Sequence, residues 1–314
     1  MTELAAPTPI AAAAPIAPAV LVDPAPPLKT RWNGWLAALG PLLSLGVLAA
    51  ALYQLRTLDI ATLWAMMPTG VGFWLAFALC YAISPLSEWV IFRKLWTLPA
   101  NGIVPLFRKL VCNELLLGYL GEMYFYSWAR RHARITTAPF GAIKDVSILS
   151  AIAGNVFTLL LVIIAAPLFA RLNVGMETTH FVTSVVVILV SSLVIFFFRG
   201  RLFSLPGRDL AFVAAIHTVR IVVAIGLSAY LWHEIVPAVA LSWWLLLGTI
   251  RQILSRLPLM PNKDVVFAGV VTVLVGAHGP IVDAIALVAA LSLATHLIVG
   301  AVLGASEVVR AVVD

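Results

Sequence analysis

Apolar runs of about 20 residues recur along most of this chain. That is the length a helix needs to cross a hydrocarbon core of ~30 Å. Inside lipid every backbone polar group must be satisfied internally, so such runs have to form helices. Seven full spans can be drawn, at about 34–55, 71–92, 146–170, 181–198, 210–231, 238–257 and 281–303. Hydrophobic residues make up 62% of the chain and charged residues 11%. The mean hydropathy is +1.04. The expected fold is an all-α integral membrane protein, with about seven transmembrane helices and two re-entrant or half-helix segments. A concentrated basic surface on a soluble fold is missing, so no nucleic-acid partner is expected.

Residues 1–28 are dominated by Ala and Pro. Dense proline prevents a helix, so this part reads as a disordered cytoplasmic tail ahead of a polytopic membrane domain at 29–314. Glu3 precedes the apolar part and Lys29 follows it, the wrong order for a secretory signal. Sixteen of the twenty Lys and Arg residues fall on one side if the spans alternate, Arg251, Arg256 and Lys263 among them. Basic residues collect in the cytoplasm, so the N-terminus is expected there, in a bacterial inner membrane.

The first interrupted segment is Ile103–Tyr126, which carries Arg108, Lys109, Asn113, Glu114 and Glu122. Charges in hydrocarbon cost ~2.5–3.5 kcal/mol each on insertion scales, which argues against an ordinary lipid-facing span. Basic residues flank both ends, so the segment is expected to dip in and return to the same side. The second is Val265–Ala277, thirteen residues that end in His278-Gly279-Pro280. If it too returns to the inner side, the segment order suggests a parallel internal repeat. A buried half-helix is the plainer alternative.

Several polar side chains are candidate substrate-binding residues. Glu122 follows Gly118 and Gly121 and could meet a cation, a proton or an arginine. Arg220 lies mid-span with His217 three residues earlier on the same face. Its guanidinium suits a phosphate, and its plainer role is an ion pair with Glu122 or Glu88. Glu88 follows Pro85, which kinks a helix and frees carbonyls. Arg130, Arg131 and Arg134 form the densest basic cluster, where they can attract anionic headgroups or simply anchor the topology. Asn155 reads as interhelical glue and Asp283 as a membrane-edge acid. Cys80 and Cys112 form no C-x-x-C pair, so they read as packing residues. No metal site or cofactor is expected, and no nucleotide or hydrolase motif appears.

The chain resembles the flippase-like membrane domain of lysylphosphatidylglycerol synthases and its stand-alone relatives. Two places carry the resemblance. Leu117-Gly118-Tyr119-Leu120-Gly121-Glu122, followed by Trp128-Ala-Arg130-Arg131, stands where that family carries a Pro-Gly-Arg-x-Gly-Glu motif and a basic stretch. Leu257-Pro258-Leu-Met-Pro261 then leads through a short apolar segment to Gly276 and Gly279. Leu117 and Tyr119 replace the family's proline and arginine. The resemblance implies an inner-membrane lipid flippase, not an enzyme, moving an anionic or lipid-linked-glycan amphiphile between leaflets. Its partners would be membrane lipids, anionic or polyprenyl-linked, and a lipid or glycan synthase that supplies them. One alternative is an integral-membrane transferase using outer-side His180, Glu177, His233 and Glu234. Another is a non-catalytic subunit of an envelope-assembly complex.

Overall fold

The computed structural model describes residues 60–115, 120–132, 139–172, 203–255, 263–276 and 279–313, and every regular element among them is helical. In chain order these are α1 (Ile60–Ala65), α2 (Val71–Trp96), α3 (Ile103–Leu115), α4 (Leu120–His132), α5 (Pro139–Leu172), α6 (Gly207–Ile235), α7 (Leu241–Leu254), α8 (Lys263–Val275) and α9 (Pro280–Val313). A 3₁₀ turn, Ala100–Gly102, precedes α3. Four of them, within α2, α5, α6 and α9, are long and apolar enough to cross a membrane. These four match the spans expected at 71–92, 146–170, 210–231 and 281–303. The spans expected at 34–55 and 181–198, and the tail at 1–28, lie outside the described residues. The run 238–257 contains only the 14-residue α7. At 1.5 Å per residue α7 reaches about 21 Å, short of a full span.

Polarity is arranged inside out. Leu75, Leu79, Ile163, Val219, Val222, Ile298 and Val302 point outward, while His217, Thr249, Gln252, Ser292 and His296 are buried. A soluble bundle reverses this pattern. Lipid tolerates an apolar exterior, and the polar interior gives the helices hydrogen-bonding glue.

Helix α6 is the hub, packing against α2, α5, α7 and α9. It runs antiparallel to α2: Cys80 approaches Ser228, Ser84 approaches Arg220, and Lys94 lies 3.8 Å from Asp209. Helix α5 lies parallel to α6, since Val146 meets His217 and Ser150 meets Arg220. Apolar clusters occupy both ends of the bundle. At one end Ile91, Phe92, Trp96, Leu106, Phe125 and Val213 pack together. At the other, Phe73 and Phe77 pack with Leu231, and Trp232 and Val236 pack with Trp244, Phe267 and Val282. The polar side chains of α2 and α6 fall between these clusters.

The two short-helix pairs enter from opposite ends. Helices α3 and α4 double back on each other, because Arg108 bonds Tyr124 while Asn113 bonds Gly121. Their open ends sit with Trp96 and Val213. Helices α7 and α8 form the other pair. Trp244 and Phe267 pack near Val236 and Val282, and Arg251 meets Asp264 close to the turn. Lys263–Val275 therefore runs away from the basic end, so the condition on which a parallel repeat depended is not met. The second interruption faces the first. Helix α9 also runs parallel to α2, with Tyr81 bonding His296 and Phe73 and Phe77 beside Val288 and Leu291. Arg251 is half-buried against Asp264 well inside the bundle, so it does not mark a membrane edge. Gly276 (φ +107°) and Gly279 (φ +148°) make the turn from α8 into α9, conformations that side chains rarely adopt.

Candidate functional site

The tips of the two pairs meet halfway along α2 and α9. Glu114, at the end of α3, accepts a hydrogen bond of 3.4 Å from the backbone N–H of Lys263, the first residue of α8. A helix N-terminus presents unsatisfied N–H groups and a positive dipole end, so a carboxylate belongs there. Around this contact lies a cavity of about 170 Å³ lined by Tyr81, Ser84, Glu114, Arg251, Asp264 and His296, among others. Arg251 donates through Nε and Nη2 to Asp264 Oδ1 at 2.9 and 2.7 Å. Tyr81 Oη lies 3.1 Å from His296 Nδ1.

A second polar cluster adjoins this cavity across α2 and α3. Lys109 is buried, with Nζ 2.9 Å from both carboxylate oxygens of Glu88 and 3.4 Å from Glu122 Oε1. Asn113 bridges the hairpin: Nδ2 donates to Glu122 Oε1 at 3.2 Å, and Oδ1 accepts the Gly121 N–H at 2.9 Å. Gly121 is required by this approach. A Cβ there would run into the Lys109 carbonyl and lie 2.7 Å from Asn113 Oδ1. Glu122 Oε2 is buried and has no hydrogen-bond partner among the described residues.

The structure pairs these charges differently from the sequence expectation. Arg220 meets neither Glu122 nor Glu88 in an ion pair among the described residues. It donates to Ser150 Oγ at 2.9 Å and to Ser84 Oγ at 3.4 Å. The carboxylates have gone to Lys109, which reaches them from the adjacent hairpin helix. His217 shares the Arg220 face but is fully buried, its Nε2 3.1 Å from the Val146 carbonyl oxygen. That contact fastens α5 to α6. Arg130 and Arg131 are exposed at the end of α4, Arg130 lying over the Tyr126 ring, and Arg134 lies outside the described residues. His233 and Glu234 are exposed at the end of α6, while Glu177 and His180 lie outside the described residues.

Sequence reasoning missed Glu114, Tyr81, Arg251, Asp264 and His296 as one group. Arg251 interrupting an apolar run was the available signal, since an arginine there must find an acid or a cavity. Asp145, fully buried, is structural: its Oδ2 accepts the Ser204 and Leu205 N–H groups at 2.6 and 2.7 Å and secures the entry to α6. Set against known proteins, the chain matches no family model, no curated protein and no solved structure.

Proposed function

We propose that this protein is a bacterial inner-membrane transporter that moves an anionic or lipid-linked-glycan amphiphile between leaflets. The observation that carries this reading is the meeting of two opposed short-helix pairs, Glu114 to the N–H of Lys263, beside a polar cavity halfway along apolar helices. Interrupted helices meeting inside a bundle are how transporters place polar groups at mid-membrane without exposing them to lipid. In this reading both pairs are re-entrant, from opposite faces. Arg93, Lys94, Arg130, Arg131, Lys144 and Arg208 gather at one end of the bundle, which supports a cytoplasmic assignment for that end.

Arg220 supplies the anion-directed group. Among the described residues its terminal nitrogens are held by two serine hydroxyls, neutral partners that a phosphate can replace with charge-assisted bonds. The Glu88–Lys109–Glu122 cluster stays paired while this happens, so the substrate need not break a buried ion pair. The resemblance to the flippase-like domain supports the same substrate class. The test is leaflet exchange in liposomes. Purified protein should move a labelled anionic lipid faster than protein-free vesicles, and rates equal to those controls for both anionic and lipid-linked sugar substrates would refute autonomous transport.

A further inference from the structure

The cavity beside the hairpin tips, about 170 Å³, has more than ten times the ~10–15 Å³ that one water needs. Among the described residues that line it, Glu114 and Asp264 are acids and Arg251 and Lys263 are bases, so their formal charges cancel. Arg251 is already paired with Asp264 at 2.7 Å, and Glu114 accepts the Lys263 N–H at 3.4 Å. An arriving cation would meet two bases as well as two acids, and an arriving anion the same. Burying a charge is costly unless it finds a partner of its own, and here the partners are spoken for. The cavity suits a neutral occupant.

Its walls also specify hydrogen bonding. The carboxylates only accept, the guanidinium and ammonium only donate, and a hydroxyl is a neutral group that serves both. Phe77, Trp232 and Phe267 supply apolar wall between the polar points, which suits the C–H groups of a polyol. Ser84 then ties this cavity to the anion-directed group. It lines the cavity, and its Oγ accepts from Arg220 Nη1 at 3.4 Å. The guanidinium therefore stands one hydroxyl away from a chamber suited to a neutral, hydroxyl-bearing group.

We propose that the cavity binds the polyol part, a glycerol or a sugar, of a phosphate ester whose phosphate lies at Ser84 and Arg220. The hydroxyls donate to Glu114 and Asp264 and accept from Arg251 and Tyr81, and no buried ion pair has to break. This deepens the transport reading by naming the headgroup, and it rests on that reading for its purpose. The binding itself can be measured separately.

The test is native mass spectrometry of the full chain in a non-ionic detergent, with three probes: dioleoyl phosphatidylglycerol, dioleoyl phosphatidylpropanol and glycerol 3-phosphate. The two lipids share chains, charge and headgroup length and differ by two hydroxyls. Wild type should retain phosphatidylglycerol at least about five-fold better than phosphatidylpropanol, the effect of one net hydrogen bond. Ser292→Leu fills the cavity from α9 and should bring that ratio to about one. Should it misfold, Glu114→Gln keeps the volume, weakens the acceptor and should lower the ratio at least two-fold. Equal retention of the two lipids by wild type would overturn the proposal, as would an unchanged ratio in a folded variant. Glycerol 3-phosphate held as well as the lipid would support the polyol site and overturn a lipid as its occupant. Hydroxyl-dependent binding without leaflet exchange would refute transport and leave the site standing, and exchange without that dependence would do the reverse.

Discussion

Lys109 Nζ stands 2.9 Å from both carboxylate oxygens of Glu88, joining the first hairpin to the long helix α2. Both side chains are largely buried, at 7% and 13% exposure. Removing one partner of such a pair typically costs ~3–5 kcal/mol, because the other charge is left without compensation. Lys109→Met should therefore lower the melting temperature strongly in detergent. Adding Glu88→Gln should recover part of the loss, and strictly additive destabilisation would count against direct pairing.

Gly121 and Gly226 make a matched comparison. Gly121→Ala pushes a methyl into the Lys109 carbonyl, while a Cβ at Gly226 meets nothing within 4 Å. Overpacking of this kind costs ~1–3 kcal/mol, whereas Ala in an open helix position gains up to ~1 kcal/mol over Gly. Gly121→Ala should lower the thermal midpoint and Gly226→Ala should leave it level or higher. A neutral Gly121→Ala would mean the two hairpin helices do not pack this closely.

Asp145→Asn tests a purely structural acid. The carboxylate accepts the N–H groups of Ser204 and Leu205, and hydrogen bonds to charged groups contribute ~1.5–3 kcal/mol each. The variant should be less stable by a comparable amount, read from thermal unfolding. Once corrected for folded fraction, its leaflet-exchange rate should match wild type. A selective loss of rate would place Asp145 in the transport path.

Side-specific labelling tests the hairpin entry. Ala100→Cys and Arg131→Cys, in a background without Cys80 and Cys112, mark exposed positions at the two open ends of the α3–α4 pair. Both should react with an impermeant maleimide from the cytoplasm only. Reaction of the two from opposite sides would mean that this stretch crosses the membrane.

Four of the seven expected spans, those within α2, α5, α6 and α9, were readable because a run of apolar residues reports directly on the solvent a helix must face. The interruption at Ile103–Tyr126 was readable for the same reason, since five polar groups cannot sit in lipid. Partner choice was not readable. Lys109, Glu88 and Glu122 come from three helices, and nothing local distinguishes Lys109 from Arg220 as the cation the carboxylates receive. The run 238–257 was drawn as a full span, with Arg251 and Lys263 counted as membrane-edge charges, although it contains only the short helix α7. Arg251 is neutralised by Asp264 inside the bundle, and a neutralised charge carries no topological information. Glu114 was visible only as one more polar residue, because its role depends on a helix start 149 positions away.

Arg220, held by the Ser84 and Ser150 hydroxyls, is the group through which the proposed transport would select an anionic substrate. The most direct measurement is the ratio of leaflet-exchange rates for a labelled anionic phospholipid and a labelled zwitterionic one of the same chains, in liposomes. Wild type should favour the anionic lipid, Arg220→Lys should keep part of that preference, and Arg220→Gln should bring the ratio to about one with the fold intact. An Arg220→Gln protein that still prefers the anionic lipid as wild type does would contradict the account.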